Sequence, residues 1–169
     1  VIFAAGSSTR TTMGELAKNV LPLYYGVGTA MQLEIPDHGP SLIPQRSVVR
    51  TANRGGTCGV HLVPRGSNKY YLGAGSFISH SPVTGHRLST VKYLIDCLIS
   101  DFSNQADKAS IEPCVGYRPI SFDGKPMLGP LADNANVYVA TGTKRDGLTY
   151  APIIVDDIQE WLRQDERLG

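Results

Sequence analysis

Only two stretches of this 169-residue sequence carry apolar residues at every third or fourth position, the spacing typical of a helix with one buried side. They cover about residues 87–102 and 148–163. The apolar positions are Leu88, Val91, Ile95, Leu98 and Phe102 in the first stretch, and Leu148, Ala151, Ile154, Ile158 and Trp161 in the second. With one helix in its middle and one at its end, the chain does not follow the strand–helix alternation of a doubly wound fold.

The remaining residues form short extended segments separated by turns that contain glycine and proline. We predict strands at residues 1–5, 20–25, 29–35, 47–51, 59–64, 70–74, 111–120 and 137–141. A polar loop is predicted at 7–10, and Gly26-Val27-Gly28 is expected to bend the chain between two strands. Together these elements predict an α+β fold with a mostly antiparallel sheet.

The composition excludes several classes of protein. Hydrophobic residues make up 41% of the chain and charged residues 18%, which is ordinary for a globular protein. The formal net charge is +1 and the basic residues form no run, so we expect no nucleic-acid partner. No apolar run approaches the roughly 20 residues of a membrane span. Cys58, Cys97 and Cys114 have neither disulfide-framework nor metal-site spacing, so we expect no metal and a reducing, cytoplasmic environment.

The segment NVYVATGTKRDGLTYAP, residues 136–152, predicts a strand that ends at Gly142, a short loop and then a helix. This arrangement directs the free N–H groups and the positive dipole end of the helix towards whatever lies beyond the strand. Lys144 and Arg145 add positive charge there. The segment is therefore either a site for an electron-rich or anionic group or an ordinary strand-to-helix turn with two solvated basic residues.

The segment VGYRPISFDGKPMLG, residues 115–129, places Arg118 in a strand between apolar neighbours. Burial of an unpaired charge is costly, so such an arginine needs a partner. The partner is either a carboxylate of the protein, in a structural salt bridge, or the carboxylate of a substrate, which a guanidinium binds with two parallel hydrogen bonds.

The segment HLVPRGSNKYYLGAG, residues 61–75, predicts a hairpin whose second strand ends in small residues. His61 is an isolated histidine, and His80 and His86 are expected in loops without a carboxylate or cysteine cluster. Cys58 and Ser76 have no evident base partner in the sequence, which argues against nucleophilic catalysis.

The opening residues, AAGSSTR at 4–10, allow two interpretations because small residues after a strand let the backbone approach a phosphate closely. With Met13-Gly14, Lys18 and Leu21-Pro22-Leu23, they resemble the phosphate loop of a nucleotidyltransferase. That family also needs a metal-binding aspartate on a later strand of a parallel α/β sheet, and the strand-rich middle of this chain supplies none. The other interpretation is a dinucleotide contact in a flavoprotein.

Taken in order along the chain, these segments resemble the C-terminal half of the glycine oxidase and D-amino acid oxidase family of FAD-dependent oxidoreductases. The resemblance implies that Ala4, Ala5 and Gly6 lie near the FAD phosphates. It also implies that Gly142 and the turn that follows it face the pyrimidine edge of the flavin. The turn residues concerned are Arg145, Asp146, Gly147 and Leu148.

The same resemblance assigns substrate-binding roles. In family members that oxidise amino acids, the arginine of the GYRP-type strand binds the carboxylate, a role that falls to Arg118, and the residue before LVPR, here His61, reaches into the same pocket. Asp146 stands where the family usually has asparagine. Cys114 is out of register with the cysteine to which some relatives attach flavin, so covalent attachment is not expected.

The sequence contains no GxGxxG turn between a strand and a helix, the unit that holds the adenosine diphosphate half of FAD. We therefore expect a fragment, inactive alone, with a FAD-domain remnant at 1–19, a substrate-binding domain at 20–120 and a return to the FAD domain at 121–169. For the intact protein we expect FAD-dependent oxidation of the C–N bond of a small amino acid or related amine. A nucleotidyltransferase and a non-catalytic ligand-binding module are the alternatives.

Overall fold

The computed structural model describes residues 1–17, 21–36, 41–52, 59–102 and 104–166. The chain divides into two compact units. We call Val1–Gly26, Ile78–Pro82 and Tyr117–Gly169 the terminal unit, and Val27–Phe77 and Val83–Gly116 the central unit. The division predicted from the sequence, at 1–19, 20–120 and 121–169, stays a prediction.

The described residues contain eight strands and three α-helices, with runs of strands between the helices. This confirms the predicted α+β fold class. The strands are β1 (Ile2–Phe3), β2 (Leu23–Glu34), β3 (Val49–Arg50), β4 (His61–Pro64), β5 (Lys69–Ser79), β6 (Ser110–Ser121), β7 (Met127–Leu131) and β8 (Asn134–Thr141). The helices are α1 (Thr9–Met13), α2 (Leu88–Cys97) and α3 (Gly147–Glu166). The strands form two sheets, ordered β1-β8-β7 and β3-β4-β5-β2-β6.

The central unit has the larger hydrophobic core, built from the long strands and one side of α2. Its buried residues are Met31, Leu33, Ile35, Ile43, Val60, Leu62, Tyr70, Leu72, Leu94, Cys97, Leu98 and Ala106. Helix α2 continues as a π-helical turn at Leu98–Phe102, so the helical stretch ends where the spacing predicts. Leu88 was predicted to be buried and is 82% exposed, because the first side chain of a helix points back past the helix end.

The terminal unit contains the three-stranded sheet and helix α3. Strand β1 pairs in parallel with β8, and β7 pairs antiparallel with β8. Its smaller core consists of Met13, Leu21, Leu131, Val137 and Val139. The predicted stripe of α3 is half-buried at Ala151, Ile154, Ile158 and Trp161, whereas Leu148, in its first turn, is 93% exposed.

Three local predictions were wrong. Gly26-Val27-Gly28 does not bend the chain, because β2 runs through all three residues as one strand. Residues 7–10 are not a loop, since they belong to a 3₁₀ turn, Gly6–Ser8, and to α1. Strand β1 covers only Ile2–Phe3 of the predicted 1–5, and a 3₁₀ turn begins soon after it, at Gly6. The predicted roles of Lys18 and Cys58 concern positions outside the described residues.

None of the helices in the described part of the chain is both long enough and apolar enough to cross a bilayer.

Candidate functional site

The carboxyl ends of two parallel strands form one edge of the terminal unit. Ile2 is in register with Tyr138 and Phe3 with Val139, so the residues that follow β1 and β8 emerge on the same side. The Thr141 hydroxyl donates a hydrogen bond to the Gly6 carbonyl oxygen at 2.8 Å. This contact joins the two segments that the sequence assigned to the cofactor, although they are 135 residues apart.

Glycine is required at the end of β8 for two reasons. Gly142 has a φ of +76°, which disfavours side chains, and a Cβ atom built there would lie 3.2 Å from both the Lys125 carbonyl oxygen and the Met127 nitrogen. At Gly6, φ is +57° and a Cβ would meet nothing within 4 Å. The backbone at Gly6 therefore faces open space that a bound group can approach.

The turn after Gly142 is hydrogen-bonded to the strand that carries Arg118. The Lys144 amide donates to the Pro119 carbonyl oxygen at 2.9 Å, and Thr143 forms an isolated antiparallel bridge with Ile120. Within the turn, the Asp146 amide donates to the Thr143 carbonyl oxygen at 2.9 Å. The structure thus brings the 142–148 segment together with the 117–121 segment in one unit.

Helix α3 starts at this turn and extends over 20 residues, from Gly147. The N-terminus of α3, with its unpaired N–H groups and the positive end of the helix dipole, lies at the same edge as Gly6 and Gly142. Arg145 and Asp146 are exposed beside the helix start. An edge with open backbone at one strand end and a helix N-terminus at the other suits the phosphate and ring oxygens of a dinucleotide such as FAD.

Arg118 is half-buried, and its Nη1 atom is buried without a hydrogen-bond partner among the described residues. No ion pair to Arg118 is found there either. Across from it lies Gly26, where a Cβ would come within 3.3 Å of the Arg118 Cβ and 2.6 Å of the Ile120 Cδ1. Because Gly26 has no side chain, strand β6, which carries Arg118, can pack closely against it. The described chain supplies no carboxylate for the Arg118 guanidinium.

A cavity of about 520 Å³ adjoins the turn in the same unit. Tyr24, His80 and Lys144 contribute polar groups to its wall, and the His80 ring meets the Tyr24 ring edge-on at 4.9 Å. The turn at 121–124 forms another side, where the Lys125 amide donates to Asp123 and, as the main cause, lowers the pKa of that carboxyl. Sequence reasoning missed these wall residues because histidines and tyrosines in loops carry no distinctive spacing.

His61 belongs to the central unit, where it lies on β4 in register with Gly73 of β5. A Cβ at Gly73 would lie 3.0 Å from both His61 Nε2 and Tyr71 Cε1, so this glycine leaves space for two rings, whose centroids are 6.4 Å apart. His61 and Arg118 lie in different units, and the shared pocket proposed for them stays a prediction.

The remaining candidates are placed as follows. His80 follows β5 and His86 precedes α2, so both lie in loops as expected. Burial, with a smaller contribution from the Glu112 charge, raises the pKa of the half-buried Cys114 thiol. The described residues contain no cluster of histidine, cysteine or acidic side chains that could hold a metal.

The model of the FAD-dependent oxidoreductase family known as DAO matches residues 1–161, and the chain belongs to that family. This result decides against the nucleotidyltransferase alternative.

Comparisons with individual proteins are consistent with this family membership. The chain is 27% identical over 146 residues to the bifunctional protein ThiO/ThiG of Trichormus variabilis, covering 84% of this chain and 20% of the relative. It superposes on glycine oxidase from Geobacillus kaustophilus with a TM-score of 0.71 and 19% identity, over 97% of this chain and 41% of the other. For iminodiacetate oxidase from Chelativorans sp. BNC1 the TM-score is 0.65 and the identity 18%, over 90% and 39%. The chain thus spans about two fifths of these solved structures and a fifth of the curated relative.

Proposed function

We propose that this chain forms part of an FAD-dependent oxidoreductase that oxidises the C–N bond of an amino acid or a related amine. Family membership and the likeness to an enzyme named glycine oxidase support the class of reaction. The observation that carries the substrate class is the buried Nη1 atom of Arg118, which has no partner in the described chain. An unpaired buried guanidinium N–H is costly and is satisfied by a substrate carboxylate.

In the proposed mechanism the protein mainly orients the substrate. Arg118 holds the carboxylate with two parallel hydrogen bonds, which fixes the carbon that bears the amine. FAD, when bound, supplies the hydride acceptor, and the oxidised substrate is an imine that water hydrolyses. Little acid–base chemistry is needed from the chain if the amine enters as the neutral form.

The edge formed by β1, β8 and α3 is the proposed cofactor contact. Ala5 and Gly6 would lie beside the phosphates, whereas Gly142 and the 145–148 segment would face the pyrimidine ring. The positive end of α3, together with Arg145, would favour negative charge at that place. Asp146 adds an opposing charge that the family pattern lacks, and His61 is proposed as a second substrate contact.

Kinetics of Arg118→Ala in the intact flavin-containing protein test this proposal. A hydrogen-bonded ion pair is worth about 1.5–3 kcal/mol, so we expect KM for an amino acid to rise roughly 10- to 150-fold. An amine without a carboxylate, as the comparison substrate, should show little change. Arg163→Ala, an exposed arginine on α3, is the matched control and should leave both KM values unaltered. Equal effects on both substrates, or none, would remove Arg118 from the substrate site.

A further inference from the structure

Thr9, the first residue of α1, carries a buried hydroxyl group that has no hydrogen-bond partner among the described residues. The residue is 0% exposed. Buried hydroxyl groups are nearly always hydrogen-bonded, because an unmet one loses its contacts with water without replacement. The unmet hydroxyl of Thr9 therefore indicates a partner from outside the described part of the chain.

Hydrogen bonds place Thr9 beside Gly6, at the edge proposed to contact the cofactor. The Thr9 amide donates to the Gly6 carbonyl oxygen, which also accepts the hydrogen bond from the Thr141 hydroxyl. A carbonyl oxygen has two lone pairs, so this one has none left for the hydroxyl group of Thr9. The neighbouring backbone thus fixes the position of Thr9 without meeting its side chain.

The backbone before Thr9 has the dihedral angles of an anion-binding nest. Ala5 has a φ of −88° and a ψ of +19°, close to the right-handed helical region, and Gly6 follows with a φ of +57°, in the left-handed region. Such a pair turns successive N–H groups towards one point. The amides of Gly6 and Ser7 have no acceptor within the described ranges, and a Cβ at Gly6 would meet nothing within 4 Å.

The charge of this segment favours an anion. Residues 4–13 contain neither aspartate nor glutamate, and Arg10 is the one charged residue in that range. Arg10 is exposed and forms no ion pair with the carboxylates of the described chain. The segment therefore offers N–H and O–H donors and a positive charge, with no opposing charge of its own.

We propose that the Thr9 hydroxyl donates a hydrogen bond to a phosphate oxygen of the bound dinucleotide, next to the amides of Gly6 and Ser7. This inference rests on the cofactor contact proposed above, and it adds to that contact a side chain and the group that the side chain binds. The donors suit a phosphate better than a flavin ring, because phosphate oxygens are charged and accept hydrogen bonds from several directions.

Two opposite effects of Thr9→Val distinguish this role from a structural one. The substitution removes a buried donor that is unmet in the flavin-free protein, so the midpoint of urea unfolding should stay the same or rise. The same substitution should weaken the Kd for FAD roughly 10- to 150-fold, since a hydrogen bond to a charged group is lost. Riboflavin, which has no phosphate, should bind both proteins equally.

Fluorescence titration of the intact flavin-free protein with FAD and with riboflavin measures both dissociation constants. Thr9→Ser keeps the hydroxyl and should retain FAD binding. Thr12→Val is the matched control, because it removes an exposed hydroxyl of α1 that donates to the Ser8 carbonyl oxygen, and it should leave both constants unaltered. If Thr9→Val does not fold, Thr9→Ala takes its place in the titrations.

The inference is overturned if Thr9→Val lowers the unfolding midpoint of the flavin-free protein, leaves the Kd for FAD unchanged, or weakens riboflavin binding as much as FAD binding. Each of these results leaves the proposed function standing. An unmodified protein that binds neither flavin would instead refute the proposed function, and this inference with it.

Discussion

At the scale of single residues, the edge proposed to contact the cofactor depends on backbone conformations that only glycine adopts easily. Gly142 and Gly124 have nearly the same dihedral angle, with φ values of +76° and +77°. Their surroundings differ, however. A Cβ at Gly142 would meet backbone atoms of Lys125 and Met127, whereas one at Gly124 would meet the flexible end of the Lys144 side chain. Substitution of these two glycines therefore separates the conformational cost of adding a side chain from its steric cost.

We expect Gly142→Ala to destabilise the chain more than Gly124→Ala does. Both substitutions place a side chain in the left-handed region, at a cost of about 1–2 kcal/mol. Gly142→Ala also forces a backbone shift, since the contacts of 3.2 Å are too close to persist. Urea unfolding of the two variants measures the difference. Equal free energies of unfolding would show that the backbone near Gly142 adjusts freely.

The turn at Gly142 also shows what can be predicted from local sequence. The glycine, the basic pair that follows and the helix start are neighbours in the chain, and their relation is set by a strand-to-helix connection. The hydrogen bond from Thr141 to Gly6 joins residues that are far apart in sequence. No local pattern specifies such a contact, and the family resemblance implied only that both segments lie near the same cofactor.

At the scale of elements, the contacts between α3 and β8 among the described residues include a polar contact and an aromatic one. Tyr138 is 1% exposed, its hydroxyl donates to the Asp157 carboxylate, and its ring lies 5.1 Å from that of Trp161. The apolar stripe of α3 predicted which side faces the sheet. The carboxylate on that side was not predicted, because aspartate in a helix is most often exposed.

This contact predicts a loss of stability at high pH. Burial, followed by the hydrogen bond and charge of Asp157, raises the pKa of Tyr138 from 10.0 to about 12. The folded state thus favours the neutral phenol, so its contribution is complete below about pH 10 and is lost as the pH rises from 10 to 12. The loss should be roughly 2–3 kcal/mol.

The fluorescence of Trp161, the single tryptophan, can follow urea unfolding across this range. In Tyr138→Phe the decline between pH 10 and 12 should be smaller by the amount given above. Tyr150→Phe, which changes a 37%-exposed tyrosine on the same helix, should decline as the unmodified chain does. An identical decline in all three proteins would contradict the assignment.

At the scale of the whole molecule, the sequence implied an α+β protein of a flavoenzyme family, and both conclusions are confirmed. Its Gly26-Val27-Gly28 segment, which lacks the third glycine of the dinucleotide fingerprint, lies inside β2 and cannot form the phosphate turn. The edge of β1, β8 and α3, if it holds the cofactor as proposed, would therefore contact only part of FAD.

We expect residues 1–169 alone not to retain FAD. Incubation with excess FAD followed by gel filtration should give a colourless protein, because the unit that binds the adenosine diphosphate half is missing from the sequence. The visible absorption spectrum of the protein fraction is the measurement, and the unbound FAD that elutes later is its internal control. A yellow protein fraction would show that the edge of β1, β8 and α3 suffices.

The sequence by itself determined the fold class and the positions of most strands and of the two longer helices, because apolar spacing and turn residues act over a few neighbours in the chain. The family followed from the resemblance of its motifs to those of known proteins. The sequence did not decide whether Arg118 pairs with a carboxylate of the protein or with that of a substrate. Only the tertiary structure decided that the described chain supplies no carboxylate to that guanidinium, whose Nη1 atom is buried without a partner there. Whether a buried polar atom has a hydrogen-bond partner depends on segments that are distant in sequence and pack around it. Local sequence does not specify how close those segments come.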